Sequence, residues 1–174
     1  MQKILTGPFF TRPALRVARD LIGKHLIVSR GKKCNAYLIT ETEAYVGPHD
    51  KGCHAYKGRT KRTETLYREP GILYVYLVYG MHHMLNVVTD RNDYPAAVLI
   101  RGVENISGPG RLTKRLGITM KLNGKPAGKE NNVWFEDRGT SVPKKRIRVT
   151  PRIGIDYAEE WKDKPFRFIL EGEK

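Results

Sequence analysis

Two glutamates and a tyrosine alternate in the segment LITETEAYVG, residues 38–47, as Glu41, Glu43 and Tyr45. The segment otherwise has the composition of a β-strand, in which glutamate is depleted. Residues two apart in a strand share a face and lie about 6.5–7 Å apart, so we expect Ile39 on the same face as these three. A carboxylate held in such a place is a candidate general base. A solvated strand face is the alternative interpretation.

The segment that follows, residues 47–71, favours a functional interpretation. It is rich in glycine, histidine, tyrosine, lysine and arginine and shows no clear periodicity. A long segment without regular structure inside a compact domain is usually either functional or disordered. Its cations and aromatic rings are the side chains that bind phosphates and bases. The residue chemistry alone therefore predicts a general base beside a bound nucleic acid.

The charge balance points to the same class of partner. The chain has 32 lysines and arginines against 18 aspartates and glutamates, a formal net charge of +14. A protein this basic is attracted to polyanions, and nucleic acid is the commonest of them, ahead of an anionic membrane or an acidic protein. A solvated surface with a high isoelectric point is the plainer alternative.

Metal and covalent chemistry are not indicated. His49, Cys53 and His54 are close in sequence, but their spacing matches no zinc signature. The adjacent His82 and His83 point apart in an extended chain, which disfavours joint ligation. No lysine lies in an evident apolar pocket that would mark a Schiff-base nucleophile. We therefore predict no metal and no cofactor.

The elements that must position these residues form a mostly antiparallel sheet. Pro13 opens a helix that Gly23 ends, and Gly117 ends a second helix over residues 111–116. The class is therefore α+β, with a curved, mostly antiparallel sheet and helices packed at its edges. Strands are predicted for residues 25–29, 36–46, 72–79, 85–89, 96–104, 146–150 and 166–170. A short helical piece is predicted for residues 159–162.

Length and composition complete the outline. A chain of 174 residues is expected to form one domain, here residues 1–174. The chain has no apolar stretch of the ~20 residues that a membrane helix needs, and its start does not have the pattern of a signal peptide. Two cysteines make no disulfide framework. We expect a cytoplasmic protein with no membrane partner.

Several blocks of the chain resemble the alkyladenine (3-methyladenine) DNA glycosylase family. They are ETEAYVGPHDKGCHAYKGRT, PGILYVYLVYGMHHMLNVV, AAVLIRGVE, GPGRLTKRLGI and RIGIDYAEEWKDKPFRFIL, in the family's order over residues 5–170. The resemblance implies a monomeric, monofunctional enzyme of base excision repair. Its partner would be double-stranded DNA that contains damaged purines: 3-methyladenine, 7-methylguanine, hypoxanthine or etheno-adenine. It would act at the nucleoid of a prokaryote or in the nucleus of a eukaryote.

The resemblance also implies three catalytic residues. Glu43 matches the general base that activates water for hydrolysis of the N-glycosidic bond. Arg101 matches an arginine that helps to hold the glutamate and the water. Ile153 matches a residue whose backbone carbonyl contacts the same water.

Five further residues match the family's recognition residues. Tyr45 would line one side of the base pocket, with His54 and Tyr76 on the other side of the flipped base. Asn86 would crowd the purine 2-amino position and so disfavour normal guanine. Tyr79 would be inserted into the DNA by a β-hairpin, where it fills the gap left by the flipped nucleotide.

Two other functions remain open from the residues themselves. A non-catalytic nucleic-acid-binding module would explain the charge and the aromatic residues but would give Glu43 no function. A carbohydrate hydrolase could use Glu41 and Glu43 as an acid pair, although carboxylates on one strand point in parallel rather than flank a bond. Glu41 matches no family role, and we expect it to form a salt bridge with a lysine or arginine of the following loop.

Overall fold

The fold is built on an antiparallel sheet in which one long strand joins the two halves. The computed structural model describes residues 2–172. Within them the strands are β1 Lys3–Ile4, β2 His25–Arg30, β3 Lys33–Tyr45, β4 Leu73–Val78, β5 His82–Thr89, β6 Ala96–Val103, β7 Ile106–Ser107, β8 Val133–Asp137, β9 Ile147–Thr150 and β10 Arg167–Leu170. The strand order is β1-β8-β2-β3-β6-β5-β4; β10 pairs with β3 and β9, and β7 pairs with β6.

The helices are few and short. The α-helices are α1 Gly7–Phe10, α2 Ala14–Leu21 and α3 Pro109–Leu116. None of the helices in residues 2–172 is long and apolar enough to span a bilayer. The 3₁₀ helices are His54–Lys57, Glu64–Tyr67, Met120–Leu122, Lys129–Asn131, Lys144–Arg146 and Asp156–Trp161.

The α2 helix packs one apolar stripe against the sheet. Ala14, Val17, Ala18 and Leu21 recur at helical spacing and are all buried, and the helix contacts β3 and β6. The Ala18 carbonyl also accepts a hydrogen bond of 2.8 Å from the Thr42 hydroxyl on β3. The α3 helix packs against β5 and β6, so both longer helices cover the same face of the sheet.

The pleat of the central strands divides them between two faces. On β5, Leu85 and Val87 belong to the main core, which also contains the buried side chains of α2 and α3. The next residue, Val88, belongs instead to a smaller cluster with Tyr74 and Ala97. Successive side chains of a strand point to opposite faces, so the smaller cluster lies on the face away from the helices. Residues of the 47–71 segment cover that face.

The predicted α+β class is confirmed, with an antiparallel sheet and few helices. The seven predicted strands are all present, with ends that shift by a few residues. Three short elements near the edges were not predicted, namely β1, β7 and α1, and neither was β8. The β8 sequence VWFED holds Glu136, whose carboxylate accepts a hydrogen bond of 2.7 Å from the Trp134 indole. The acidic residues interrupt the apolar pattern by which a strand is recognised, so β8 was not predicted.

The predicted shared face of Ile39, Glu41, Glu43 and Tyr45 is wrong for Ile39. The pairing of β3 with β6 shifts register on both sides of Glu41. Ile39 therefore packs in the main core together with Ala44. A bulge of this kind re-aims side chains along a strand. Beyond it, Glu41, Glu43 and Tyr45 keep their alternation and point away from the helices.

Candidate active site

A cavity of about 500 Å³ lies over the sheet face that the helices leave free. Strands β3 to β6 supply its floor, the 47–71 segment one wall, and the stretch around Ile153 another. It is lined by all of the predicted site residues except one: Tyr45, His54, Tyr76, Tyr79, Asn86, Arg101 and Ile153. The exception is Glu43, which is fully buried directly behind that lining.

Glu43 is held by three lining residues. Its Oε2 accepts a hydrogen bond of 2.9 Å from the Tyr45 hydroxyl. Its Oε1 accepts one of 2.9 Å from the Ile153 backbone N–H, and the Arg101 guanidinium Nη1 lies 3.4 Å from the same oxygen. The Ile153 amide, and not its carbonyl, makes the contact with the glutamate; the carbonyl contact with water stays a prediction.

Burial and the hydrogen-bonding partners of Glu43 shift its pKa in opposite directions. Burial raises the pKa above the usual range of a glutamate, while Arg101, the Ile153 amide and the Tyr45 hydroxyl lower it. The net shift is upward. A buried carboxylate with a raised pKa and a polarised lining is the environment of a general base. Burial also raises the pKa of Tyr45 well above 10, so its phenol stays protonated and donates to Glu43.

Glu41 forms a second carboxylate site behind the first. Its Oε1 accepts hydrogen bonds from Arg101 Nε at 3.1 Å and from Arg167 Nε at 2.6 Å. The expected salt bridge therefore exists, but its partners are strand arginines rather than cations of the loop. Arg101 bridges the two glutamates, so Glu41 fixes the guanidinium that reaches Glu43. Neither carboxylate lines the cavity, and the two do not flank a cleft as an acid pair for carbohydrate hydrolysis would.

Sequence reasoning missed a buried ion pair that supports the site. Arg152 and Asp50 are both fully buried and form two hydrogen bonds, at 2.5 and 2.7 Å. Arg152 also donates to the Ala44 carbonyl at 2.9 Å, and Asp50 accepts from the Val46 and Gly52 amides at 3.1 and 2.9 Å. The pair thus joins the end of β3 to the residue next to Ile153. The signal in the sequence was one acid, Asp50, among the cations of residues 47–63.

The aromatic wall contains one tyrosine that was not predicted. The His54 ring packs edge-on against Tyr76, with ring centroids 4.5 Å apart, and its Nδ1 lies 3.0 Å from the Tyr74 hydroxyl. Burial, together with the nearby charges of Arg62 and Lys57, lowers the pKa of His54 to about 4. The imidazole is therefore neutral at neutral pH. Tyr74 shares its strand face with Tyr76 two residues on, which was a usable signal.

Asn86 lies in the floor of the cavity, and its side-chain amide is hydrogen-bonded to the backbone. The side chain is buried, and Nδ2 donates to the Tyr74 carbonyl at 3.1 Å and to the Met84 carbonyl at 3.4 Å. These bonds fix the direction of the amide on β5. Asn86 pairs in register with Leu99 of β6, which in turn pairs with Glu43 of β3. The asparagine and the glutamate are thus two strands apart in one row across the sheet.

Tyr79 stands at the tip of the β4–β5 hairpin and not within a strand. It is 90% exposed, with φ of +51° followed by Gly80 at +68°. A left-handed conformation is uncommon for a residue with a large side chain and costs about 1–2 kcal/mol. The neighbouring Met81 is 68% exposed, so the tip presents an apolar surface. His82, the next residue, lies against Gly110 of α3.

The comparisons with known proteins agree on one family. The profile of the methylpurine-DNA glycosylase family matches residues 8–108 and 103–174. A protein of Myxococcus xanthus is 48% identical over 172 residues, which are 94% of this chain and 88% of that protein. One of Methanocella arvoryzae is 43% identical over 185 residues, 95% and 91% of the two chains. Both bear the name "Putative 3-methyladenine DNA glycosylase".

The buried pair of Asp50 and Arg152 gives a stability prediction. Asp50→Asn should lower the free energy of unfolding by about 3–5 kcal/mol, because it leaves the Arg152 charge buried without its counter-charge. Glu64→Gln is the control: it breaks the ion pair with Arg59, in which both side chains are about half exposed, and should lower the free energy of unfolding far less, because solvent screens exposed pairs. Urea denaturation measures both variants. Equal small losses would mean that the buried pair does not anchor this region.

Proposed function

The chain belongs to the methylpurine-DNA glycosylase family, and on that premise we propose that it is a monofunctional enzyme that excises damaged purines from duplex DNA. The substrates would be 3-methyladenine, 7-methylguanine, hypoxanthine and etheno-adenine. The observation that supports this most is the buried Glu43 carboxylate directly behind an aromatic cavity. The target atom of a paired nucleotide is out of reach of such a cavity, so the nucleotide must first leave the helix.

The cavity has suitable size and chemistry for a purine. Its volume of about 500 Å³ is within the usual range of small-molecule sites, about 300–1,000 Å³. Tyr45 and Tyr76 offer electron-rich faces, which attract a cationic alkylated base by about 0.5–2 kcal/mol per contact. Because His54 is neutral, it does not repel that positive charge. These features favour alkylated purines over normal ones.

The chemical step would be hydrolysis of the N-glycosidic bond. A water oxygen attacks C1′, the C1′–N bond breaks, and its electron pair leaves with the base. Glu43 accepts the proton of the water, and Arg101 holds the carboxylate in place. Glu43 Oε2 accepts a hydrogen bond from the Tyr45 hydroxyl, and a carboxylate oxygen has room for a second, so we propose that the attacking water binds Oε2 beside that hydroxyl. An alkylated base leaves readily because it already carries a positive charge, whereas hypoxanthine would need more help.

No cofactor enters this scheme, and an abasic site is its end point. We propose that the enzyme works as a monomer in the compartment that holds the DNA, the cytoplasm or nucleoid of a prokaryote or the nucleus of a eukaryote. The basic surface of the chain, with its net charge of +14, would attract the duplex before any base is read.

Base release from short duplexes tests the proposal. Each duplex contains one of the four lesions, and alkali after the reaction cuts the strand at abasic sites. We expect release of the base by the wild type, with and without a chelator. Glu43→Gln should bind the lesion duplex but lose about 10²–10⁴-fold in single-turnover rate, the usual cost of losing a general base.

Glu41→Gln is the matched control for that variant. It removes a carboxylate from the same face of β3 but leaves Glu43 in place, so its loss of rate should be much smaller. Near-normal cleavage by Glu43→Gln would refute its role as the base. Equal losses in both variants would mean that the two carboxylates act as one unit. Release that needs a metal, or a covalent adduct trapped by borohydride, would contradict the proposed mechanism.

The pH dependence of base release tests the link between Tyr45 and Glu43. The base must be ionised, so activity falls as the pH drops through the raised pKa of Glu43. The Tyr45 hydrogen bond lowers that pKa, and Tyr45→Phe should therefore move the acid limb of the pH–rate profile to higher pH. Tyr76→Phe is the control, since Glu43 receives no hydrogen bond from Tyr76 in residues 2–172. A limb that stays in place in Tyr45→Phe would contradict this link.

The proposed wedge is tested by opening the helix in advance. The Tyr79 ring would replace stacking lost on flipping, and a base–aromatic stack is worth about 1–3 kcal/mol. Tyr79→Ser should lose excision from a paired duplex but recover much of it when the lesion lies in a small unpaired bubble. Tyr76→Ser, which alters the base pocket itself, should recover less. Equal recovery of both variants, or none of either in folded protein, would show that Tyr79 is not the wedge.

A further inference from the structure

A second cavity, of about 470 Å³, adjoins the first. The two share four lining residues, Cys53, His54, Arg62 and Tyr157. Most of the second cavity is formed by residues 51–63, the basic loop segment that follows the candidate base. The scheme of base recognition and hydrolysis uses only the first cavity. Anything that leaves the first cavity past Arg62 therefore meets the second.

Two cations of this second cavity have no acidic partner in the part of the chain that the structure describes. Lys57 and Arg62 are exposed and form none of its ion pairs. Arg59, between them in sequence, is different: it is held by Glu64 and Asp93, both at 2.7 Å. Among the described residues, the cations of residues 51–63 thus divide into two that are paired with acids, Lys51 and Arg59, and three that are not. Of these three, Lys57 and Arg62 line the cavity and Lys61 does not.

The rest of the lining is neutral or already paired. Lys51, which also lines the cavity, forms ion pairs with Glu159 at 2.5 Å and Glu160 at 3.1 Å. Tyr56 and Thr60 contribute hydroxyl groups, and both residues are exposed. Hydroxyls and cations are the donors that contact phosphate oxygens in nucleic-acid complexes. The only carboxylate in the lining, that of Glu159, already has the Lys51 ammonium as its partner.

Arg62 ties this chemistry to the base pocket. It lines both cavities, and its guanidinium lies 5.9 Å from the Tyr76 ring centroid. A guanidinium has a planar fork of donors that matches two phosphate oxygens, and an ammonium acts as a point charge. The charges of Arg62 and Lys57 are also felt by His54, whose pKa both lower. A group held by Arg62 would thus lie within one nucleotide of a base stacked on Tyr76.

We propose that the second cavity binds a backbone phosphodiester of the damaged strand beside the flipped nucleotide, with Arg62 and Lys57 as its charged contacts. This inference rests on the proposed function and deepens it. The base would occupy the first cavity while the adjacent phosphate, which has to follow it out of the helix, is held in the second. Binding of that phosphate would stabilise the flipped state without reading any base.

Neutral backbone linkages locate the contact. The probe is a duplex with a tetrahydrofuran abasic analogue at the target position and a single methylphosphonate at one of the flanking phosphates of that strand. Binding of the wild type is measured by fluorescence anisotropy for each position. We expect one flanking methylphosphonate to weaken binding roughly tenfold, the effect of losing a charge-assisted hydrogen bond.

Variants then connect that phosphate to its partners. In Arg62→Gln the same methylphosphonate should have little further effect, because the contact is already lost, and the double-mutant cycle measures this coupling. The slope of log Kd against log salt concentration should fall by about 0.9 for each lost phosphate contact. Lys57→Gln should behave in the same way but more weakly. Lys61→Gln is the control, a cation of the same segment that lines neither cavity, and it should keep the full methylphosphonate effect.

Three results separate the failure of this proposal from that of the function. If the wild type releases damaged bases but Arg62→Gln stays fully sensitive to every methylphosphonate, the phosphate site is wrong and the proposed function stands. If Lys61→Gln couples as strongly as Arg62→Gln, the segment attracts DNA only by its general charge, and the site is equally wrong. Absence of base release by the wild type would instead refute the proposed function.

Discussion

The rest of the site depends on keeping the carboxylate of Glu43 ionisable inside a protein. Its side chain is fully buried, and an unpaired charge there would be very unfavourable. The Ile153 amide, the Tyr45 hydroxyl and the Arg101 guanidinium compensate that burial, but only in part, since the pKa remains raised. The remaining bias toward the protonated form makes Glu43 a better proton acceptor than an exposed carboxylate. The same incomplete compensation that weakens the fold locally thus suits a general base.

A second layer of charges holds two of those partners, Arg101 and Ile153, in place. Arg101 is fixed by Glu41, which also binds Arg167. Ile153 follows Arg152, whose guanidinium is tied to Asp50 and to the backbone at the end of β3. Each outer group is matched in charge, so neither layer leaves a free buried cation against the base pocket. This matters because a cationic substrate would be repelled by unpaired positive charge behind its aromatic wall.

Local patterns in the sequence were sufficient for most of the strands, whereas most of the side chains around the cavity were identified only through the resemblance to the family. The alternation in β3 predicted that Glu43 and Tyr45 share a face, and they do. It failed for Ile39, since a register shift has no local signature. The pair of Asp50 and Arg152 joins residues about a hundred positions apart, and no spacing rule predicts such a contact. The amide of Ile153 was missed for a related reason: a backbone group has no residue type by which it can be recognised.

The hairpin tip, unlike the buried site around Glu43, contributes little to the stability of the fold. Tyr79 is exposed and has a left-handed backbone, so its position stabilises the free protein little and costs some strain. Strain of this kind persists where the surrounding structure imposes it, and here the paired strands β4 and β5 and the following Gly80 do so. The same β4 strand directs Tyr76 into the cavity three residues earlier. One hairpin therefore carries both the ring that lines the cavity and the exposed ring at its tip. A partner that engages both rings must reach from the hairpin tip into the cavity, and in the proposed function duplex DNA does so by extruding a nucleotide.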